Sequence, residues 1–240
     1  MKAIVEHEGV LVWDEAETPE PGPGEVRIAV HATAVNRADL VQRTGNYPPP
    51  AGAPSILGLE CAGTIEAVGP GVPVERVGDE VIALLAGGGY AEKVVCPASH
   101  TLPRGRLSWA EAAAVMEVFA TAWLNLKVEG ELKGGERVLL HAAASGVGTA
   151  ALQLCEVWGN PVFATVGSAD KEQRCRELGA DATHDRHQGE FVDRVKEWGG
   201  ADVVLDPVGG SYLMQNLRAL NKRGRLVSIG LLGGREAMLP

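Results

Sequence analysis

The sequence has little of several features that mark particular classes of protein. Its 240 residues include four cysteines and no C-x-x-C pair, which argues against a disulfide framework or a cysteine zinc site. No apolar run approaches the length needed to cross a membrane, and no secretory apolar block stands near the start. The sequence has no long run of lysine or arginine and its net charge is −9, so nucleic-acid binding is not expected. We expect a cytoplasmic protein whose partner is a small molecule.

Two patterns divide the rest of the sequence. Residues 1–115 contain short alternating segments between proline- and glycine-rich turns, of which Val26–Val35 is the clearest, and they predict a mostly β domain. A capping-box motif at Ser108 opens an alanine-rich helix, and a second helical stretch, roughly residues 117–128, ends at Gly130. Beyond Gly130, apolar strands alternate with helices. This alternation predicts an α/β fold in which residues 116–240 form a doubly wound parallel sheet with helices on both faces. The cleft between the two domains is the expected site.

Residues 138–154, VLLHAAASGVGTAALQL, combine a strand, a glycine turn and a helix. The apolar run stops near Ser145, turns through Gly146, Val147 and Gly148, and resumes with helical spacing. The first turn of such a helix exposes N–H groups that can hold a pyrophosphate, and glycine lacks the Cβ that would keep phosphates away. The G-x-G-x-x-G pattern is incomplete, so a glycine turn without a ligand is the alternative. The position between strand and helix favours dinucleotide binding.

The residues after the second strand of this domain indicate which dinucleotide binds. Proteins that bind NAD usually carry Asp or Glu there, but the residue 20 positions beyond Gly148 is Ser168. A serine hydroxyl and the Lys171 ammonium would bind a 2′-phosphate that a carboxylate would repel. Asp170 suits the first turn of a helix, and Arg186 offers a second cation. We therefore predict NADPH. The alternatives are that Lys171 is a solvated helix residue and Arg186 a surface charge.

Several long segments together resemble one protein family. They are NRADLVQRTGNYPPP (36–50), ILGLECAGTIEAVGPG (56–71), ALLAGGGYAE (83–92), HAAASGVGTAALQL (141–154) and DPVGGSY (206–212). In this order they resemble the zinc-free, zeta-crystallin-like quinone oxidoreductases of the medium-chain dehydrogenase/reductase superfamily. The resemblance covers nearly the whole chain. It implies a GroES-like domain in residues 1–115 and a Rossmann-type NADPH-binding domain in residues 116–240.

The resemblance also implies that no metal is bound. Related zinc alcohol dehydrogenases place a cysteine ligand where this sequence has Asn36, and a histidine ligand where it has Leu59. Leucine cannot ligate a metal, and an amide is a poor zinc ligand. Without a Lewis acid, alcohol oxidation is disfavoured. The implied reaction is hydride transfer from NADPH to a quinone, whose ring delocalises the incoming negative charge.

Further roles follow from the same resemblance. Asn36 and Tyr47 are the expected catalytic residues. The Asn36 amide would orient the nicotinamide or a quinone oxygen, and the Tyr47 phenol would donate a hydrogen bond to the reduced oxygen. Thr121, Leu231 and Gly233 are expected to contact the cofactor. Alternatively, Asn36 only caps a turn, while Tyr47 and Thr121 only pack.

Two other functions remain open from the sequence. With the same cofactor, the protein could reduce an activated alkene such as a 2-alkenal or enone, or it could bind NADPH without catalysis, as a crystallin-like protein. Family members run beyond the point that corresponds to Pro240 and pair through a later strand as homodimers. We expect this chain to lack that segment and to expose a sheet edge, which leaves its own dimerisation open.

Overall fold

The protein consists of two compact units. The structure is a computed structural model in which residues 1–238 are described. One unit comprises Met1–Glu117, and the other begins at Val118. The boundary predicted from the sequence lies two residues earlier, between residues 115 and 116.

The first unit is mainly antiparallel β-structure. Its strands are β1 (Lys2–His7), β2 (Val10–Glu15), β3 (Glu25–Thr33), β4 (Glu60–Val68), β5 (Glu80–Leu84), β6 (Lys93–Pro97) and β7 (Thr101–Pro103). β1 and β2 form a hairpin, and the others form a sheet in the order β6-β3-β4-β5-β7. Val26 and Ile28, alternate residues of β3, are buried in its core, as the alternating sequence predicts. Two helices, α1 (Arg37–Arg43) and α2 (Trp109–Ala112), belong to the same unit.

The second unit is a parallel sheet with helices on both faces. In chain order it contains α3 (Met116–Trp123), which starts just before the boundary, then β8 (Val138–Leu140), α4 (Gly146–Trp158), β9 (Val162–Val166), α5 (Ala169–Glu177), β10 (Ala182–Asp185), α6 (Val192–Trp198), β11 (Ala201–Asp206), α7 (Leu213–Ala219) and β12 (Leu220–Ser228). The strand order is β10-β9-β8-β11-β12, and every pairing is parallel. The predicted doubly wound sheet is confirmed.

Burial of the central strand shows why helices are needed on both faces. The side chains of Val138 and Leu140 lie in one core cluster with residues of α4, whereas Leu139 lies in another cluster with Val192 and Val195 of α6. All three β8 residues are fully buried. A strand apolar on both faces requires cover on both, which is the reason for its continuous apolar sequence.

The helix predicted over residues 117–128 is not α-helical along its whole length in the structure. α3 ends at Trp123, and the chain continues as a π-helical turn over Leu124–Glu129. The Asn125 side chain donates to the Thr121 carbonyl oxygen at 2.8 Å, and the Gly130 N–H donates to the Asn125 carbonyl oxygen at 2.9 Å. The wider turn is therefore closed at Gly130, where the sequence predicts the helix to stop.

Candidate functional site

A cavity of about 410 Å³ lies at the carboxyl ends of the parallel strands of the second unit. Each strand leads to part of its wall, and the contributing residues are Ala142 after β8, Gly167 after β9, Arg186 after β10, Val208 after β11 and Leu232 beyond β12. β9 and β11 lie on opposite sides of β8, so the chain reverses its winding direction here. The crevice at such a reversal is where doubly wound sheets bind ligands.

Four residues predicted to bind the cofactor line this cavity together: Ser145, Lys171, Arg186 and Gly233. The others predicted in this unit do not line it: Thr121, Gly146, Val147, Gly148, Ser168 and Leu231. Sequence reasoning missed several lining residues, among which Thr165, Ser211 and Tyr212 carry hydroxyl groups. The signal that could have identified Ser211 and Tyr212 is the DPVGGSY segment, which carries part of the family resemblance.

Local hydrogen bonding leaves part of the α4 terminus available. Ser145 is the N-cap residue, and its Oγ accepts from the Gly148 N–H at 3.2 Å. Within residues 1–238, the N–H groups of Gly146 and Val147 donate to no protein group. Two backbone donors at the positive end of a 13-residue helix are suited to an anion.

The two turn glycines are required by the packing of the chain itself. A Cβ on Gly148 would lie 2.5 Å from the Ala143 carbonyl oxygen, and one on Gly146 would lie 2.9 Å from Val118 Cγ1. The reason predicted from the sequence was room for phosphates. In the structure, the first obstacle that a side chain would meet is the protein itself. Room for phosphates stays a prediction.

The charge around the cavity is positive. Lys171 and Arg186 line it, and no aspartate or glutamate among residues 1–238 does so. The Arg186 guanidinium lies over Gly167, where a Cβ would come within 3.1 Å of its Nε. Ser168 is the N-cap residue of α5, yet its side chain makes no capping hydrogen bond. Its hydroxyl is therefore not committed to the helix.

A chain of buried polar side chains lies behind the cavity. His141 Nδ1 is 2.8 Å from Thr165 Oγ1, and His141 Nε2 is 2.6 Å from Asn216 Oδ1. Asn216 Nδ2 donates to Asp206 Oδ2 at 2.9 Å. Burial lowers the pKa of His141 to about 4. His141 is thus a neutral core residue at neutral pH, as its apolar neighbours in the sequence predict.

In the first unit, Asn36 is held by a buried carboxylate. It is the N-cap residue of α1, and its Nδ2 donates to Glu60 Oε1 at 2.7 Å. The backbone N–H of Glu117 donates to Glu60 Oε2 at 3.0 Å. Burial raises the pKa of Glu60, whose side chain is 1% exposed, and these donors oppose the rise. The Asn36 amide therefore has a fixed orientation.

A second carboxylate holds the backbone at the same position. Asp39 Oδ2 accepts from the Asn36 N–H and from the Tyr90 hydroxyl, each at 2.7 Å. Tyr47, by contrast, is 51% exposed in the proline-rich segment, and its hydroxyl makes no hydrogen bond within residues 1–238. Thr121 is half-buried on α3. The predicted functions of Tyr47 and Thr121 stay predictions.

Replacing Asn36 by alanine should destabilise the first unit by about 1–3 kcal/mol, because it removes a donor from a buried carboxylate. Chemical denaturation at neutral pH, monitored by a probe of the first unit, measures the loss. Asn46→Ala is the matched control, since Asn46 is exposed and its amide bonds only to Thr44. An equal effect of both substitutions would show that the bond between Asn36 and Glu60 contributes nothing.

Two further kinds of feature are absent from the described residues. Among the described residues, no group of three or more His, Cys, Asp or Glu side chains is arranged to hold a metal ion. No helix in residues 1–238 has both the length and the hydropathy needed to cross a membrane.

Comparison with known proteins agrees with this architecture. Residues 22–106 match the alcohol dehydrogenase GroES-like domain, and residues 146–240 match the domain described as zinc-binding dehydrogenase. A GroES-like domain followed by a Rossmann-like parallel sheet defines a class of two-domain oxidoreductases. The chain belongs to the medium-chain dehydrogenase/reductase superfamily.

Solved structures of similar sequence include enzymes with different names. A mycobacterial quinone oxidoreductase is 35% identical, with a TM-score of 0.86 over 100% of this chain and 77% of that one. A mycobacterial protein complexed with NADPH is 35% identical, with a TM-score of 0.85 and the same two coverages. The CurK enoyl reductase is 33% identical, with a TM-score of 0.87 over 98% of this chain and 75% of that one.

Curated relatives are longer than this chain. The synaptic vesicle membrane protein VAT-1 homolog of Rattus norvegicus is 38% identical over 219 residues, which are 90% of this chain and 54% of that protein. The phthioceranic/hydroxyphthioceranic acid synthase of Mycobacterium tuberculosis is 38% identical over 215 residues, which are 88% of this chain and 10% of that protein. The chain thus spans about half of one relative and a tenth of the other.

Proposed function

We propose that the protein is an NADPH-dependent quinone oxidoreductase that acts without zinc and is similar to the tumour-suppressor-inducible quinone oxidoreductase. The observation that carries the proposal is the cavity at the strand ends, where Ser145, Lys171 and Arg186 converge without a lining carboxylate. Similarity to a quinone oxidoreductase and to a protein complexed with NADPH supports both parts of the assignment. The quinone substrate, the homodimer and the cytoplasmic location remain predictions.

The groups in and beside the cavity suit NADPH better than NADH. The N–H groups of Gly146 and Val147 are placed to hold the pyrophosphate, next to the capped turn at Ser145. Lys171 and Arg186, with the Ser168 hydroxyl, would hold the 2′-phosphate through charge-assisted hydrogen bonds. Bound NADPH would supply the hydride for the reduction, and the task of the protein is to position and shield it.

The Asn36 environment suits an orienting role. Glu60 holds Nδ2, and the carbonyl oxygen Oδ1, which faces the Asp39 N–H in the capping box of α1, has a second lone pair that Asn36 can offer to the nicotinamide carboxamide. The donors at this position do not fit zinc. Leu59 has no ligating atom, and the Asn36 amide is hydrogen-bonded to a buried glutamate. We therefore infer that hydride transfer depends on positioning and does not use a Lewis acid.

A second candidate function is reduction of an activated alkene. The similarity to an enoyl reductase, at an identity close to that of the quinone oxidoreductase, favours it. The cofactor site would be unchanged, because the same hydride donor serves both acceptors. A non-catalytic, NADPH-binding protein is the third possibility.

An acceptor panel tests the proposal. Consumption of NADPH should be fast with 1,2-naphthoquinone, slow with 2-alkenals and enones, and much slower when NADH replaces NADPH. Turnover of alkenals alone would make the protein an alkene reductase. Calorimetric binding of NADPH without turnover of any acceptor would leave only the binding function. Absence of NADPH binding would contradict all three.

Tyr47→Phe should lower kcat for the quinone about tenfold, because it removes a hydrogen bond to the developing negative charge on the reduced oxygen. NADPH affinity should stay unchanged, since Tyr47 is not assigned to the cofactor. Steady-state kinetics and calorimetry measure the two quantities. Unchanged kcat would reduce Tyr47 to a packing role.

A further inference from the structure

The hydrogen-bonded, buried side chains behind the cavity join two parts of the cavity wall. Thr165, near the end of β9, and Val208, after β11, both line the cavity. Thr165, His141, Asn216 and Asp206 link them, and each of these four side chains is at most 2% exposed. At the far end, Asp206 Oδ1 accepts from the Val208 N–H at 2.7 Å. His141, Asn216 and Asp206 are therefore shielded from solvent, whereas Thr165 borders the cavity.

In every hydrogen bond among these four side chains, the donor and the acceptor can be assigned. The N–H groups of Val208 and Gly209 can only donate, so the Asp206 carboxylate accepts from both. The carboxylate also takes the amide nitrogen of Asn216, which leaves the amide oxygen Oδ1 to face His141. His141 must therefore carry its proton on Nε2.

The assignment of donors and acceptors extends to Thr165, which lines the cavity. With the proton on Nε2, the Nδ1 atom of a neutral His141 carries a lone pair and no proton, so it can only accept a hydrogen bond. The Thr165 hydroxyl must therefore donate its single proton to Nδ1, at 2.8 Å. Its oxygen then retains only acceptor capacity, and Thr165 is a lining residue of the cavity. A ligand group that meets Thr165 must donate, which rules out a phosphate oxygen and admits a hydroxyl.

We propose that Thr165 accepts a hydrogen bond from a ribose hydroxyl of the dinucleotide, and that His141, Asn216 and Asp206 are positioning residues that fix this polarity. The inference rests on the proposed NADPH site. In NADPH the adenosine 2′-oxygen is phosphorylated, and Lys171 and Arg186 of the same cavity are assigned to that phosphate. The hydroxyl adjacent to it is the 3′-hydroxyl, which we assign to Thr165.

Binding of 2′,5′-ADP and of its 3′-deoxy counterpart, measured by calorimetry, tests this contact. The unmodified protein should bind 2′,5′-ADP about five- to tenfold more tightly than the 3′-deoxy compound. Thr165→Val should bind the two compounds equally, whereas Thr165→Ser should restore the preference. A preference that survives in Thr165→Val would overturn the assignment, even if NADPH binds well. Failure of NADPH and 2′,5′-ADP to bind at all would instead contradict the proposed function.

A matched pair of substitutions tests the positioning role of His141. Asparagine places an acceptor near the position of Nδ1, and glutamine places a donor near the position of Nε2. His141→Asn should therefore keep most of the preference for the 3′-hydroxyl, and His141→Gln should lose it. Neither should change the ratio of NADPH to NADH affinity, which depends on Lys171 and Arg186. Equal loss of the 3′-preference in both variants, or a changed NADPH to NADH ratio, would contradict the role in hydroxyl recognition.

Discussion

Replacing Lys171 and Arg186 together by alanine should weaken NADPH binding about 30- to 100-fold and change NADH binding less than threefold. Each single substitution should cost about tenfold, because each removes one charge-assisted contact to the 2′-phosphate. Both side chains are exposed, so solvent screens them and the expected effect is smaller than for buried ion pairs. Calorimetry with NADPH, NADH and 2′,5′-ADP measures the three affinities.

The control for this experiment is Lys196→Ala. Lys196 is an exposed lysine of the same unit, on α6, and it does not line the cavity. The Lys196→Ala substitution removes one positive charge, as each of the single substitutions does. The comparison therefore separates the loss of a local contact from a change in the general electrostatic field of the protein. The difference between NADPH and NADH should also shrink as the salt concentration rises. Equal losses for the two cofactors would show that Lys171 and Arg186 do not contact the 2′-phosphate.

The sequence predicted best where local pattern and burial agree. The apolar spacing and the glycines of the sequence predict a helix over Gly146–Trp158 and a strand over Val162–Val166, and α4 and β9 have these bounds. The β1–β2 hairpin was not predicted. Its turn contains Glu8 and Gly9, both with positive φ, and most of its residues are at least partly exposed, so the two strands lack a clear apolar alternation.

The candidate site was predictable only in part. Lys171 and Arg186 could be identified because residues that follow parallel strands meet at one edge of the sheet. The hydrogen bonds of His141 with Thr165 and Asn216 could not be predicted, because the three residues are far apart in the sequence and no spacing relates them. Their contact depends on the strand order and on the position of α7 against the sheet, which are tertiary properties.

Replacing Gly148 by alanine should destabilise the second unit by about 2–3 kcal/mol, or roughly 5–10 °C in Tm. The new Cβ would lie 2.5 Å from the Ala143 carbonyl oxygen and 2.6 Å from two further Ala143 backbone atoms. A backbone neighbour cannot turn aside as a flexible side chain can, so α4 must move away from the end of β8. The gain from alanine's higher helix propensity, about 1 kcal/mol, is too small to offset this strain.

Gly134→Ala provides the matched comparison, because a Cβ at Gly134 meets nothing within 4 Å and its φ is not in the left-handed region. It should leave Tm nearly unchanged. Thermal unfolding with and without NADPH then distinguishes two explanations of the glycine turn. If Gly148→Ala lowers Tm without the cofactor, the glycine is required by the packing of the protein, and weaker NADPH binding follows from the displaced helix. If Tm is unchanged and only NADPH binding falls, the side chain obstructs the phosphates, and the packing explanation is wrong.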